Sequence, residues 1–243
     1  MEEKKWWTWL ILVSAIVAVV LLITAPFGYR YEILPLGEAL ISTVVALLAS
    51  LITVIGGLIM AVVATRKGLT TNRNLVLAGV VIALVPIIIM GPVALSVRSV
   101  PPIHDITTDT ENPPRFDHVV DLREGAPNSL DYEPGGEVAE QQLAAYPQIE
   151  PLMSSLSAMD ALARAESVLA AQGLEVVNRD DNQRIVEAVA TTKWFGFKDD
   201  VVVRVTPTDS GSQIDVRSVS RVGQSDLGAN AARISAFLEA FEG

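Results

Sequence analysis

The stretch VRSVSRVGQSDLGANAARI (216–234) decides how the C-terminal half of this chain folds, because a strand, a turn and a helix start follow one another within it. Just ahead of and into it, Ile214 and Val216 alternate with Asp215 and Arg217, the period of a strand with one apolar face. Gly223 then supplies a tight turn, and Ser225 is placed to cap a helix starting at about Asp226. That helix carries Leu227, Ala231, Ile234, Leu238 and Phe241 at helical spacing, so it is expected to lie across the apolar face of the sheet.

Working upstream, three more runs read as strands, at 174–178, 184–192 and 201–206, and the fourth spans 213–220. The connections DDNQ, the FGFKDD region and PTDSGS suit antiparallel hairpins. In the third run Val201, Val203 and Val205 point one way while Val202, Arg204 and Thr206 point the other, which predicts one apolar and one largely polar sheet face. A helix is predicted over 158–172, with Ser157 and Asp160 as a capping-box-like start and Gly173 as the stop, and a short one over 137–145 ended by Pro147. The expectation is an α+β domain over 137–243, a four-stranded antiparallel sheet covered by helices.

Residues 98–136 are rich in Pro, Asp, Thr and Asn with no helical period, and read as an extended strap belonging to that domain. Both histidines of the chain, His104 and His118, lie in it beside Asp105, Asp109 and Asp117. His104 with Asp105 or Asp109 is the candidate for general-base chemistry. Their spacing matches no recognisable catalytic or metal site, so no metal and no cofactor are expected.

Residues 1–97 are of a different kind. Three segments, at about 6–25, 39–64 and 75–97, run for roughly 20 residues or more without a charge, enough to cross a hydrocarbon core as helices. Trp6, Trp7 and Trp9, and Tyr29 and Tyr31, flank the first segment where interfacial aromatics belong. A cleaved signal peptide fits it poorly, since LLITAPFG offers no small-x-small cleavage site. Lys4 and Lys5 precede the first span, and Arg66, Lys67 and Arg73 sit between the second and third, so the positive-inside rule places the N-terminus in the cytoplasm and the C-terminal domain outside. The expected location is a bacterial inner membrane with a periplasmic domain. Gly57 with Ala61 and Gly79 with Ala83 have the spacing of close helix packing, and no ionisable residue inside a span marks an ion path.

Charge separates the halves further. Up to Val97 the chain has six basic and four acidic residues; after it there are twelve basic and twenty-four acidic. An acidic domain argues against a nucleic-acid partner, which needs a clustered basic surface. The absence of cysteine removes disulfides, thiol catalysis and thiolate metal sites.

PPIHDITTDTENPPRF (101–116), ATTKWFGFKDDVVVRV (190–205) and IDVRSVSRVGQSDLGANAARISAF (214–237) together resemble the DUF1499 family, from about residue 98 to 241. The resemblance implies a domain without established activity, commonly tethered to bacterial inner or plastid membranes, and it carries over no catalytic residue.

Two surfaces are candidates for ligand or partner contact. One is the turn Trp194, Phe195, Phe197, Lys198, Asp199 and Asp200, aromatic rings followed by two carboxylates that face opposite sides if extended. The other is the helix start at Ser225, with free backbone N–H groups and Arg217, Arg221 and Arg233 in support. Against anion binding there, Asp226 would repel the ligand, and GQSDLG is neither a Walker loop nor a nucleophile elbow. A plainer assignment has Ser225 and Asp226 capping the helix while Arg221 pairs with a nearby acid. The reading that follows is a membrane-tethered, non-enzymatic binding or assembly module with the bilayer and a protein or envelope ligand as partners. An envelope hydrolase centred on His104 and a lipid-handling accessory protein are the alternatives.

Overall fold

The computed structural model describes residues 3–97 and 99–243. The expected junction at Arg98 lies outside the described residues. Two compact units are present: one holds the described residues up to Val97 together with Lys193–Gly196, and the other holds the rest.

The first unit consists of α1 (Trp6–Arg30), α2 (Leu36–Arg66) and α3 (Thr70–Ser96), each long and apolar enough to cross a membrane, with mean hydropathies of 2.8, 2.6 and 2.7 over their most apolar windows. Small residues form the seams between them. A Cβ added to Gly57 would lie 2.4 Å from Val80 Cγ2 of α3, and one on Gly79 would lie 3.0 Å from Ile11 Cγ2 of α1. The two small-residue pairs therefore serve packing among the three helices. At the end where α1 begins, Asn72 is fully buried. Its Oδ1 accepts from Thr8 Oγ1 (2.7 Å) and the Lys5 N–H (2.8 Å), while its Nδ2 donates to the Glu3 carbonyl (3.0 Å). This side chain ties the N-cap residue Lys5 and the first turn of α1 to α3. Large apolar side chains such as Leu10, Ile52, Ile59 and Ile88 point outward, the arrangement of a bundle surrounded by lipid.

The second unit is built on a sheet of six strands, two more than the sequence predicts, and the sheet is not closed. In chain order the elements are β1 (Asp105–Thr107), α4 (Val119–Leu122), α5 (Glu137–Ala145), β2 (Leu152–Ser154), α6 (Ala158–Ala171), β3 (Glu175–Asp180), β4 (Ile185–Thr191), β5 (Lys198–Thr208), β6 (Gly211–Ser220) and α7 (Ala229–Glu242). The path β1-β6-β5-β4-β3 is antiparallel throughout, and β2 pairs with the other half of the same β6 edge. Neither β1 nor β2 has its own strand signature at three residues each. Their pairing is dictated by β6, whose outer edge would otherwise present unpaired N–H and C=O groups.

Local signals explain the remaining elements. Ser157 accepts the Asp160 N–H (3.3 Å) and donates to its carboxylate (2.6 Å), which caps α6. At its other end Gly173, with φ of 80°, sends its N–H to the Ala170 carbonyl, and Leu174 returns its own to Leu169. This pair of bonds is the Schellman stop. The start of α7 differs from expectation: it begins at Ala229, with Gly228 as N-cap in a left-handed conformation. Asp226, rather than Ser225, does the capping, accepting the Gly228 N–H (2.8 Å) on one oxygen and the Asn230 N–H (2.7 Å) on the other. Leu227 and Gly228 both take positive φ, and this tight turn delays the helix.

One face of the sheet is the apolar core. Val201, Val203 and Val205 of β5 and Ile214 and Val216 of β6 meet Leu162 and Leu169 of α6 and Ile234, Phe237 and Phe241 of α7. Each such side chain, fully buried, contributes roughly 1.5–3 kcal/mol. The opposite face carries Asp200, Arg204, Asp215, Arg217 and Glu187, all buried except the half-buried Arg204. A charged face without a cover would stand in water, so something must lie over it, and the strap does.

Candidate functional site

The strap is fastened to the polar face of the sheet by side chains from both. At its start, β1 places Asp105 opposite Val219 in the β1–β6 register. Arg217, two residues earlier in β6, reaches both Asp105 oxygens, Nε to Oδ1 at 3.0 Å and Nη2 to Oδ2 at 2.7 Å. The same guanidinium donates to the carbonyls of Pro114 (3.3 Å) and Leu130 (2.8 Å), two points on the strap sixteen residues apart in sequence. It also stands against the rings of Phe116 (5.4 Å) and Tyr132 (5.2 Å). Arg217 is 3 % exposed, so it acts as the peg on which three passes of the strap hang.

Further along, Asp200 receives Arg221 through both Nε (3.0 Å) and Nη2 (2.7 Å) and has Arg123 Nε at 3.5 Å. Two guanidinium groups thus share one fully buried carboxylate. Burial pushes the Arg123 guanidinium below its usual range, Asp200 opposes the shift, and Arg221 adds to it by like-charge repulsion. Arg123 Nη2 donates to the Asn128 carbonyl (2.8 Å). Asn128 in turn donates to the carbonyls of Ser220 (2.9 Å) and Gly223 (2.8 Å). Arg204 bridges Asp109 (3.1 Å) and Asp215 (2.8 Å). Glu187, with no exposed surface, accepts the N–H groups of Asp117 (2.7 Å) and His118 (2.8 Å) and the Asn178 amide (2.9 Å).

Two concavities open along the strap, lined mostly by its own residues. One, of about 450 Å³, is lined by Glu111, Arg115, Phe116, Val120, Tyr132 and Arg217 among others. The second, of about 410 Å³, includes His104, Asp105, Glu133, Glu137 and Val138, and both share Asp131 and Tyr132. The Tyr132 hydroxyl is shut from solvent and has no hydrogen-bond partner among the described residues. Burial first, then the neighbouring Asp105, pushes its ionisation up to about 12 against the pull of Arg217, so it stays an O–H donor.

The residues singled out from sequence distribute as follows. His104 lines the second cavity, and its side chain makes no hydrogen bond to Asp105 or Asp109 among the described residues; the Asp105 oxygens face Arg217, and those of Asp109 hold Arg204 and the N–H groups of Glu111 and Asn112. The residues of the turn at 194–200 are divided between the two units. Trp194 and the buried Phe195 meet edge to face at 5.9 Å in the first unit. Phe197 closes the turn in the second, donating its N–H to Thr192 Oγ1 (2.9 Å) and accepting the Thr192 N–H. Lys198 is exposed. Asp199 and Asp200 do face opposite sides, Asp199 toward Arg233 of α7 (2.6 Å) and Asp200 toward Arg221 beneath the strap. Ser225 accepts the Leu227 N–H (3.2 Å). Arg217, Arg221 and Arg233 all have acids as partners, so the helix start does not gather them around an anion.

Sequence reasoning missed Phe116, Arg123, Asn128, Tyr132 and Glu187. The available signal was the charged face predicted for β5 and β6, which needed a cover carrying complementary groups. Among the described residues no group of three or more His, Asp or Glu side chains is arranged to hold a metal ion.

Residues 105–241 match the model of a family described as a protein of unknown function, DUF1499. No curated protein matches the chain.

Proposed function

The chain belongs to the DUF1499 family, and from that premise we propose that it is a membrane-tethered module that binds or assembles with a partner on the far side of a bacterial inner membrane. What carries the reading is the strap clamped over a charged sheet face, with two adjoining cavities of ligand-site size lined mostly by strap residues. Positive charge at Lys4, Lys5, Arg66, Lys67 and Arg73 supports a cytoplasmic N-terminus and a periplasmic C-terminal domain. The engagement of the Asp105 and Asp109 carboxylates with arginines favours binding over catalysis, because neither orients His104 as a base.

Crosslinking in intact membranes, followed by identification of copurifying proteins, tests the module directly; recovery of no partner counts against it. A reporter active only outside the cytoplasm, fused after Gly243, is expected to be active, and an inactive fusion would overturn the orientation. The hydrolase alternative keeps one observation in its favour, the position of His104 on the second cavity. A folded His104→Ala variant that loses the cellular phenotype would support it.

A further inference from the structure

We propose that the aromatic turn between β4 and β5 is a membrane-interface anchor, with Trp194 and Phe195 seated in the phospholipid headgroup layer of the bilayer that α1 crosses. The inference rests on α1 as a membrane span and is independent of what the second unit binds.

The position of the turn follows from contacts inside the first unit, to which Lys193–Gly196 belong. Arg30, the last residue of α1, donates from its guanidinium to the Lys193 carbonyl. The Tyr29 and Phe195 rings lie 6.4 Å apart, and Trp194 meets Phe195 edge to face. Gly196 has φ of 73°, and a Cβ there would fall 2.9 Å from Arg30 Cγ, so a left-handed glycine permits the close approach.

Helix length sets the depth. A hydrocarbon core about 30 Å thick takes about 20 residues of α-helix, so a span entering at Trp6 leaves the core near Ala25. Tyr29 comes about 6 Å further along the axis, which is within the headgroup layer. The same level carries Phe27 and Tyr31, whose rings stack at 6.2 Å and are exposed, and the exposed Ile33. Trp194, half-buried, adds an indole to this belt. Such rings favour the headgroup layer because apolar matter and hydrogen-bonding groups meet there. Charge is balanced at this end of the first unit, Arg30 and Lys193 standing against Glu32 and Glu38 among the described residues. The rings rather than Coulomb attraction therefore hold the turn, and a zwitterionic phospholipid suffices.

The test uses the full chain in phosphatidylcholine vesicles. Its tryptophans are Trp6, Trp7, Trp9 and Trp194, so subtracting the emission of Trp194→Phe from that of the wild type leaves the signal of residue 194. That signal is expected to fall about twofold or more in lipids brominated near the headgroup, and less when the bromines lie near the chain ends, because interfacial groups sit about 5–10 Å into the headgroup and acyl boundary. Quenching by aqueous iodide but not by brominated lipid would place the ring in water. Quenching by neither would place it inside protein, and either result overturns the proposal. Should Trp194→Phe fail to fold, the absence of cysteine allows a single nitroxide at Lys193→Cys, with Asp209→Cys beyond the other end of β5 as control. The label at 193 is expected to relax faster with oxygen, which concentrates in lipid, than with a water-soluble nickel chelate, and the control to show the reverse. Faster relaxation by the chelate at both positions overturns the anchor.

Discussion

Arg217 and Asp105 lie 112 positions apart in the chain and form a two-pronged ion pair, 3.0 and 2.7 Å, with 3 % and 5 % of their surfaces exposed. The pair joins the beginning of the strap to the middle of β6. Replacing one member leaves the other charged and buried, which costs about 3–5 kcal/mol. Arg217→Met is therefore expected to lower stability by that order in denaturant unfolding. Arg217→Met with Asp105→Leu is expected to lose less than Arg217→Met alone, and a double variant that is the less stable of the two would show that the guanidinium matters through Pro114 and Leu130 instead.

Glu187 holds the strap at a second point, by accepting backbone N–H groups at the start of α4. Glutamine has one carbonyl oxygen where the carboxylate has two, and its amide would face a donor. Glu187→Gln is expected to cost about 1–3 kcal/mol. Hydrogen exchange reads the cause: the amides of Asp117 and His118 lose protection first, while those of β5 keep theirs. Uniform loss across the sheet would argue that Glu187 stabilises the core as a whole.

Asp226 gives stability a pH dependence of defined sign. Burial raises its ionisation above the ordinary 3.8, against hydrogen bonds from the Gly228 and Asn230 amides that lower it. A carboxyl raised in the folded state binds protons more tightly there than in the unfolded chain. Its contribution is greatest at low pH and is lost as pH rises from about 4 through the raised value. Comparing urea midpoints of the wild type and Asp226→Asn between about pH 4 and about pH 7 isolates the effect. Relative to the variant, the wild type is expected to lose stability with rising pH, and a constant difference would sink the claim.

Gly211 opens β6 with φ of 147°, and a Cβ there would fall 2.1 Å from the Ser154 carbonyl oxygen of β2. Backbone cannot yield as a side-chain tip does. Gly211→Ala is expected to cost more than about 1 kcal/mol and to detach β2 from β6. Loss of amide protection at Leu152–Ser154 is the measurement, and an unchanged pattern would contradict it.

Some elements were legible because their causes are local. The short helix over 137–145 and the caps of α6 at Ser157 and Gly173 follow from residues within a few positions of one another. Four strands were legible from alternation, though β5 extends beyond its predicted limits at both ends, and at its start Asp199 and Asp200 pair with Arg233 and Arg221 on opposite faces. The strands β1 and β2 were not legible, since three residues carry no period and only the β6 edge makes them strands.

The candidate site divides in the same way. Its arginines at 217, 221 and 233 were identified from sequence as charged groups beside a turn, the carboxylates at 105 and 109 as companions of His104, and that at 200 as part of the aromatic turn. Which acid meets which base was settled only by tertiary structure.

By itself the sequence determined that three apolar helices precede an acidic α+β domain, because hydropathy and alternation act over one element at a time. The tertiary structure decided that the Pro-rich strap covers the polar sheet face, that Arg217 anchors it at Asp105, and that the Tyr132 ring lies against that guanidinium. A buried charge can choose any complementary partner the folded chain brings near, and separation along the sequence carries no record of that choice.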